Sequence, residues 1–482
     1  MSRITNNIPA IVSQRELSQS QRSLSTSLQR LSSGLQINRG ADDPAGLIVS
    51  ERLRSEIAAV GQAIDNSQRA INVISTTEGA LNEVNSLLTD IQALVVEAAN
   101  RGAFSDEEVD ANQLQIDSAI ESITRIANTT TFAGRKLLDG SLDYVTSGVD
   151  TAQLADVQVE AANFGRASFI PVQVDVTAAA EKATLEFPGA TVGSADVALD
   201  VQGPKGIVTL NFPASAPINA IVIAINNQTD ATGVTAEFVN SATQSGIRFL
   251  SEDYGTKQFV SVKALDTGGP FDVTDTSGGT VTRTNGVDAE ATVNGAATIA
   301  DGLNLSMNSR LLNVKIALDE GLGTQTTGSS TSFAITGGGS LFQLGPRVNT
   351  NQQSNIGVPA MQANKLGNRI DGFLSQLGSG QAFALRTNNF DQASDIVDSV
   401  ITEVTTLRGR LGAFERNNLQ PNITQLQITA ENLTASESVI RDTDFAQETT
   451  ELTRSQILVQ AGTSVLAIAN AQQQNVLTLL GG

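Results

Sequence analysis

The sequence of 482 residues contains no cysteine, histidine or tryptophan. Without cysteine and histidine, the chain cannot form the zinc and copper sites that depend on those side chains. It also lacks an imidazole base and a thiolate nucleophile, which excludes the enzyme mechanisms that use them. No disulfide can form in any compartment. These absences fit a protein that performs no chemistry, and we expect no enzyme activity, metal ion or other cofactor.

Basic residues and aromatic rings are also scarce. The 30 Lys and Arg residues face 50 Asp and Glu residues, so the net charge is −20, and this acidic balance argues against nucleic acid as a partner. No stretch reaches the roughly 20 apolar residues that span a bilayer, and we expect no cleaved signal peptide and no membrane partner. Aromatic residues make up only 4% of the chain. The core must therefore be aliphatic, which suits long helices packed side by side.

The composition divides the chain into three parts. Residues 1–145 and 340–482 have helical periodicity, whereas residues 146–339 are rich in Gly, Thr, Val and Asp. In the middle part, short apolar runs alternate with Gly, Pro and Asn, a pattern typical of strands and turns. The expected strands include Val157–Val159, Ile170–Val176, Ala198–Val201, Ile207–Phe212, Ile247–Leu250 and Phe259–Val262, with one helix at Ile218–Ile225. The predicted fold class is α+β: a discontinuous helical core formed by both termini, with a β-rich outer insert.

Both ends of the chain carry leucine-rich stripes. Seven-residue repeats with interleaved apolar positions predict a coiled-coil seam. The seam residues are Leu17, Leu24, Leu28, Leu31 and Leu35 at the N-terminus, and Leu452, Leu458, Val459, Val465 and Leu466 at the C-terminus. The net charge of residues 1–54 is +3 and that of residues 438–482 is −2, which favours pairing of the two ends. Periodicity alone leaves open whether the stripes only pair within one chain or also meet neighbouring subunits.

Turn and cap residues predict where the helices begin and end. The first helix should stop near Gly34, and a new helix should start with Asp43 as its N-cap and Pro44 at its first position. The adjacent carboxylates of Asp42 and Asp43 point apart in such a turn, so capping is a better interpretation than metal binding. A further helix is expected over residues 107–128. Pro421 predicts a local irregularity between Asn417 and Pro421.

Several motifs resemble those of one known family. Leu31-Ser-Ser-Gly-Leu-Gln-Ile-Asn38, Gly40-Ala-Asp-Asp-Pro-Ala-Gly46 and Thr76-Thr-Glu-Gly-Ala-Leu-Asn-Glu83 resemble the N-terminal region of bacterial flagellins. Ile440-Arg-Asp-Thr-Asp-Phe-Ala446 and the run from Gln456 to Ala467 resemble the flagellin C-terminal region, and Phe342-Gln-Leu-Gly-Pro346 resembles the return to its helical core. Inside the insert, Ala224-Ile-Asn226 to Thr232-Gly-Val-Thr-Ala236 is similar to a repeat of flagellin and hook-associated outer domains.

The resemblance implies a structural subunit that assembles with itself into the extracellular flagellar filament. It implies an inner coiled-coil domain of residues 1–43 and 438–482, whose helices order on assembly. It further implies a helical bundle of residues 44–145 and 340–437 with a β-hairpin near Phe132–Leu142, and a surface-exposed insert of residues 146–339. The implied partners are a flagellar export chaperone, the type III export apparatus, and the hook-associated junction and cap proteins.

One stretch departs from flagellins that the vertebrate Toll-like receptor for flagellin detects. In those proteins a basic residue and a Leu lie four apart on a helix, and a Glu on the next helix completes the patch. Counted from Glu83, these positions fall on Asp90, Leu94 and Gln115. A reversed charge at the centre of a contact weakens binding. The sequence therefore predicts weak or no activation of that receptor.

Three alternatives compete with the filament subunit. A hook–filament junction protein would share the terminal helices but would form only a ring. A zinc-protease insert needs a His-Glu-x-x-His helix, which a chain without histidine cannot provide. An additional adhesive role of the insert is compatible with exposed, Gly- and Thr-rich β-structure.

Overall fold

The computed structural model describes residues 7–103, 105–165, 167–189, 191, 195–265, 271–309, 311–325 and 329–480, with only the backbone of residues 473–480. The helices, in chain order, are α1 (Ile8–Ser33), α2 (Pro44–Ala99), α3 (Asp106–Thr129), α4 (Ile218–Asn226), α5 (Thr229–Thr232), α6 (Glu320–Gly323), α7 (Phe390–Phe414), α8 (Gln420–Arg441) and α9 (Phe445–Leu480). They lie in two compact units: Met1–Arg69 with Gln343–Gln352 and Arg416–Gly482, and Ala70–Phe342 with Gln353–Glu415.

Strands fill the middle of the chain. In order they are β1 (Thr131–Phe132), β2 (Arg135–Lys136), β3 (Tyr144–Ser147), β4 (Leu154–Ala162), β5 (Ile170–Ala178), β6 (Lys182–Phe187), β7 (Val197–Gln202), β8 (Ile207–Phe212), β9 (Val234–Asn240), β10 (Ser245–Tyr254), β11 (Phe259–Ala264), β12 (Arg283–Asn285), β13 (Glu290–Val293), β14 (Ala296–Ala297), β15 (Ile299–Asp301), β16 (Asn304–Asn308), β17 (Leu312–Leu318), β18 (Ser329–Gly338), β19 (Ser340–Gln343), β20 (Gln353–Ile356), β21 (Gly367–Asn368) and β22 (Gly372–Phe373). Helical ends around a strand-rich middle confirm the α+β class.

The predicted helix boundaries follow from local chemistry. The helix α1 ends where Gly34 adopts φ 72°, a left-handed conformation that favours glycine, and the Gly34 N–H donates to the carbonyl of Arg30 at 2.8 Å. The helix α3 spans two residues more than expected, because Ser105 and Glu108 form a capping box before it. The irregularity expected before Pro421 is a π-helical turn at Glu415–Leu419, which lets the backbone continue into α8.

The helical part of the larger unit has an aliphatic core. Apolar residues at helical spacing on α2, α3 and α7 are buried, including Ile74, Leu81, Leu88, Ile91, Ile116, Ile123, Ile396, Val400, Val404 and Leu411. Buried Gln113 of α3 ties the segment that precedes α7 to this core, since its amide donates to the carbonyl of Leu377 at 2.9 Å and accepts from the N–H of Leu385 at 2.8 Å. Because the chain has few aromatic residues, branched aliphatic residues fill this core, as expected.

The insert contains two separate β-structured cores. Its sheets have the orders β6-β10-β9, β12-β11-β7-β8, β14-β13-β5-β18-β3 and β15-β16-β17-β4, and their strand pairs are antiparallel. The helix α4, predicted at Ile218–Ile225, packs into the first core with Leu199 and Phe249. The second core contains Val174, Val314 and Ile335. All six apolar runs named above lie within strands, because alternate side chains enter these cores.

The region after the insert corrects one expectation. The sequence pattern predicts helices from residue 340 onward. Instead, β19 to β22 and short 3₁₀ turns occupy the chain until α7 begins at Phe390. Glycines at positive φ, such as Gly367 and Gly372, break any helical pattern there. The expected β-hairpin near Phe132–Leu142 is the short pair of β1 and β2, closed by Ala133 and Gly134 at φ 48° and 82°.

Candidate assembly surface

The two ends of the chain pair as antiparallel helices within the smaller unit. At one end of the pair, the side-chain amide of Asn7 donates to the carbonyl of Ala469 at 3.1 Å. At the other end, Leu35 and Asp442 form a short β-bridge, and the N–H of Thr443 donates to the carbonyl of Gly34 at 2.9 Å. The pairing of the termini that the two stripes and their opposite charges predicted is therefore present.

One ion pair links the oppositely charged ends across the helix pair. The Arg30 guanidinium lies 3.5 Å from the carboxylate of Glu448, and Glu448 is only 8% exposed. A pair that is this shielded fixes the register of the two helices, because misalignment would leave a carboxylate without its cation. The charge pattern thus specifies how α1 and α9 align rather than adding much stability.

The predicted seam residues fall on two different faces. The half-buried residues lie between the helices or at their bridge: Leu17, Leu24, Leu31, Leu35, Leu452, Val459 and Leu466. Three others point outward, with Leu28 51%, Leu458 47% and Val465 51% exposed. The heptad pattern located the stripe, but it could not separate the face used inside the chain from the face left open.

Sequence reasoning missed several aliphatic residues on the open side. The further exposed residues are Ile8, Ile11, Val12, Ile457 and Ile468, and the last two are each 61% exposed. Ile8, Ile11 and Val12 follow the spacing of three and four residues that marks one helix face, so the signal was present in the sequence. As a collective name for the exposed large aliphatic residues of the two helices, we call these five, together with Leu28, Leu458 and Val465, the open aliphatic face.

Small residues let α1 and α9 approach closely. A Cβ atom at Gly462 would lie 3.3 Å from the Cδ1 atom of Leu17, so the leucine packs directly over the glycine. The most deeply buried positions of the pair are also small: Ser27 is 3% and Ser455 is 1% exposed. The pair therefore buries small side chains most deeply, whereas its larger aliphatic side chains are half-buried or exposed.

The turn between α1 and α2 is held by the two adjacent aspartates. Oδ1 of Asp43 accepts hydrogen bonds from the N–H groups of Ala45 and Gly46 at 3.1 and 2.9 Å, and α2 begins at Pro44. Oδ2 of Asp42 accepts from the N–H of Arg39 at 2.8 Å, and this bond lowers the pKa of Asp42. Each carboxylate thus serves its own part of the turn.

The structure brings Asp90, Leu94 and Gln115 together. They line one shallow groove of about 470 Å³ between α2 and α3, whose other lining residues include Leu87 and Ser118. Asp90 and Gln115 are exposed and Leu94 is half-buried. A carboxylate therefore lies at the centre of the patch where the resemblance places a basic side chain.

No group of three or more metal-binding side chains is found in the part of the chain that the structure describes. Within the same residues, no helix is both long and apolar enough to cross a bilayer.

Two family models match the chain. The model described as "Bacterial flagellin N-terminal helical region" matches residues 4–143, and "Bacterial flagellin C-terminal helical region" matches residues 394–480. The flagellin of Salmonella rubislaw is 30% identical over 506 residues, which cover 99% of each chain. The chain belongs to the bacterial flagellin family. Flagellin B of Helicobacter pylori is 29% identical over 518 residues, again with 99% of each chain covered.

As a flagellin, the chain is a structural subunit of the bacterial flagellar filament and is located outside the cell in that filament. Flagellins are structural proteins rather than enzymes, and relatives matching over nearly the whole chain favour this function over a junction protein. Solved structures of the flagellar cap protein from Escherichia coli and of hook-associated protein-3 from Legionella pneumophila are 19% and 12% identical. The match to the cap protein covers 54% of this chain and 63% of the cap structure. The match to hook-associated protein-3 covers 80% of this chain and 97% of that structure. Both TM-scores are 0.29, which is too low to support a conclusion about fold or function.

This flagellin also contains a polar cavity that sequence reasoning missed. The cavity, of about 330 Å³ in the larger unit, is lined by β3, β4 and α7. The Glu160 carboxylate lies 3.1 Å from the Lys315 ammonium, and the Arg410 guanidinium donates to the Glu160 carbonyl at 2.7 Å. Oε2 of Glu403 accepts from the N–H of Gly367 at 3.0 Å. The sequence did contain a signal for this cavity, because the acidic residue Glu403 lies among the buried positions 400, 404 and 407 of α7.

Burial raises the pKa of Glu403 to about 7, against the hydrogen bond from Gly367, and the carboxyls of Asp156 and Asp143 raise it further. Burial likewise raises the pKa of Asp143 and of Asp156. Burial lowers the pKa of Arg410, although Glu160 opposes this change. The cavity is thus a place where this flagellin keeps ionisable groups partly out of water.

Proposed function

We propose that the open aliphatic face of α1 and α9 is the surface through which this flagellin packs against its neighbours in the filament. The observation that carries this proposal is the exposure of Leu458, Val465 and Ile468, which are 47%, 51% and 61% exposed on one helix. A soluble monomer rarely exposes an aliphatic stripe of this kind without a partner for it. Contact with identical helices would remove the stripe from water and so favour assembly.

The three-part division of the chain belongs to the same proposal. Residues 1–43 and 438–482 would form the inner domain, residues 44–145 and 340–437 the surrounding bundle, and residues 146–339 the outer surface. Two observations support an outer insert. It has hydrophobic cores of its own, and it carries 20 acidic and 9 basic residues, a charge that favours a solvated surface. A helical reconstruction of the filament with the insert at the axis would contradict this division.

Seeded polymerisation tests the assembly surface. In the variant Val465→Asp, a charge would have to enter the aliphatic contact, so we expect the concentration needed for elongation to rise at least about tenfold. The matched control is Val348→Asp, because Val348 is a loop valine that is 87% exposed and lies outside the open aliphatic face. Equal elongation of Val465→Asp and the wild type, with equal helix content by circular dichroism, would contradict the proposal.

We further propose the export route and partners that the family implies. A chain without cysteine can be threaded unfolded through a type III apparatus with no disulfide to block it. A chaperone would cover the open aliphatic face of α9 before export, and the junction and cap proteins would meet the same terminal helices. Removal of residues 438–482 should abolish co-purification of the chaperone, and undiminished co-purification would count against this assignment.

Weak activation of the Toll-like receptor remains part of the proposal. The groove of Asp90, Leu94 and Gln115 supports it, because these side chains share one face and present an exposed carboxylate. In a reporter-cell assay, potency equal to that of a strongly activating flagellin would contradict it. An adhesive role of the insert stays a prediction, which binding of purified filaments to glycans or cells would test.

A further inference from the structure

The strand β9 is the edge of a three-stranded sheet in the first core of the insert. The sheet has the order β6-β10-β9, so β9 has a partner strand on one side only. Along an antiparallel edge, the N–H and C=O groups of every second residue point away from the sheet. Such a row of open groups is a template on which another chain can add a strand.

A side-chain amide occupies the middle of this edge. The Asn226 Nδ2 donates to the carbonyl of Ala236 at 3.0 Å, and the N–H of Ala236 donates to Asn226 Oδ1 at 2.7 Å. The amide of Asn226, the last residue of α4, thus makes the pair of hydrogen bonds that a neighbouring peptide group would make. Because both groups of Ala236 point outward, Val234 and Phe238 have the same orientation by alternation.

Two threonine hydroxyls bind the backbone groups of Val234, the first outward residue of β9, in the same way. The N–H of Val234 donates to Thr232 Oγ1 at 3.2 Å, and Thr229 Oγ1 donates to the carbonyl of Val234 at 3.1 Å. Both threonines belong to the turn α5, and Gly233 at φ 70° returns the chain directly into β9. By the same alternation Asn240 is the fourth outward position of β9. Among the described residues, no side chain does the same for Phe238 or Asn240, so the closure covers two of four outward positions.

We propose that Asn226, Thr229 and Thr232 close the edge of β9 against strand addition from a second copy of this chain. A second copy is the relevant partner because filament subunits bring identical inserts to high local concentration, and β9 could pair antiparallel with its own copy. These residues lie in the stretch from Ala224 to Ala236, which is similar to a repeat of flagellin and hook-associated outer domains. The proposal gives Asn226, Thr229 and Thr232 a function that is separate from the polymer contact of α1 and α9.

The test compares the full-length monomer with the variant Asn226→Ala. Loss of the amide leaves both groups of Ala236 unpaired, so we expect hydrogen exchange at the Ala236 amide to become about tenfold faster. We also expect dimers in sedimentation velocity at concentrations where the wild type is monomeric. Both proteins carry the same α1 and α9, so a difference between them arises in the insert. A folded, monomeric variant with unchanged exchange would overturn the proposal.

Two controls separate edge pairing from general instability. Asn211→Ala changes an exposed asparagine on the edge strand β8 and should leave the monomer unchanged. In the double variant Asn226→Ala with Val239→Lys, a charge on the same strand should restore the monomer, because charges on an edge oppose strand addition. Dimers that persist in the double variant would overturn the proposal. If Asn226→Ala fails to fold, Thr229→Val is judged by the same criteria.

Discussion

Replacing Glu403 by glutamine should change how the stability of this flagellin depends on pH. The carboxyl has an ordinary pKa of 4.5, and burial in the cavity raises its pKa to about 7. The folded chain therefore holds a proton between these values that the unfolded chain has lost. A glutamine keeps an oxygen that can accept from the N–H of Gly367, and it cannot ionise.

The sign and size of the effect follow from proton linkage. Below pH 4.5 the carboxyl is protonated in both states and contributes nothing to the pH dependence. As the pH rises from 4.5 through 7, the free energy of unfolding falls, because ionisation becomes costly only in the folded state. Each unit of pKa difference corresponds to about 1.4 kcal/mol, so the full loss above pH 7 is roughly 3 kcal/mol.

Calorimetric unfolding of the monomer at pH 5 and pH 8 provides the assay. We expect Glu403→Gln to be more stable than the wild type at pH 8, with a smaller difference at pH 5. The control Glu121→Gln changes an exposed carboxyl of α3 and should keep the pH dependence of the wild type. Because a chain with several folded units need not unfold in one step, a carboxyl NMR titration gives the direct measurement. A midpoint for Glu403 below pH 5, or the same pH dependence in the variant and the wild type, would refute the reasoning.

Three further changes test the sites described above. Asp90→Arg restores a basic side chain to the α2–α3 groove and should raise receptor potency in reporter cells; unchanged potency would argue against the groove. Asp43→Ala removes the cap of α2, so exchange at the Ala45 amide should quicken, with a loss of about 1 kcal/mol of local stability, and protected amides would contradict the capping role. Gly462→Val would push against Leu17 and should lower the helix content of the termini and slow polymerisation, whereas normal elongation would show that the close approach is not needed.

Local chemistry made the helix ends predictable. Gly34, Asp43 and Pro44 each satisfy a requirement that lies within a few residues of them, and the structure has a helix end or start at each. The strands of the insert were predictable for the same reason, because alternation is local. Their partners were not: β5 pairs with β18, which lies some 160 residues later, and no local pattern specifies that choice.

The candidate site was only partly predictable, because a helix can carry two apolar faces. Leu24 and Leu28 both fit the heptad, yet the first is half-buried and the second is 51% exposed. The difference depends on where α9 lies, which is a tertiary property. Glu403 was missed because no other charged residue lies within three positions of it in the sequence. Its environment is supplied by Asp143 and Asp156, far away along the chain.

The small residues buried between α1 and α9 have a consequence for mass action. The most deeply buried positions of this helix pair are Ser27 and Ser455, and its leucines are half-buried or exposed, so the pair alone removes only part of its aliphatic area from water. In the proposed polymer contact, the open aliphatic face becomes buried only when other subunits arrive. Subunit concentration is then a folding variable, in the same sense as temperature or denaturant. The terminal helices should melt at the ends of a filament first, where a subunit has fewer neighbours than in the interior.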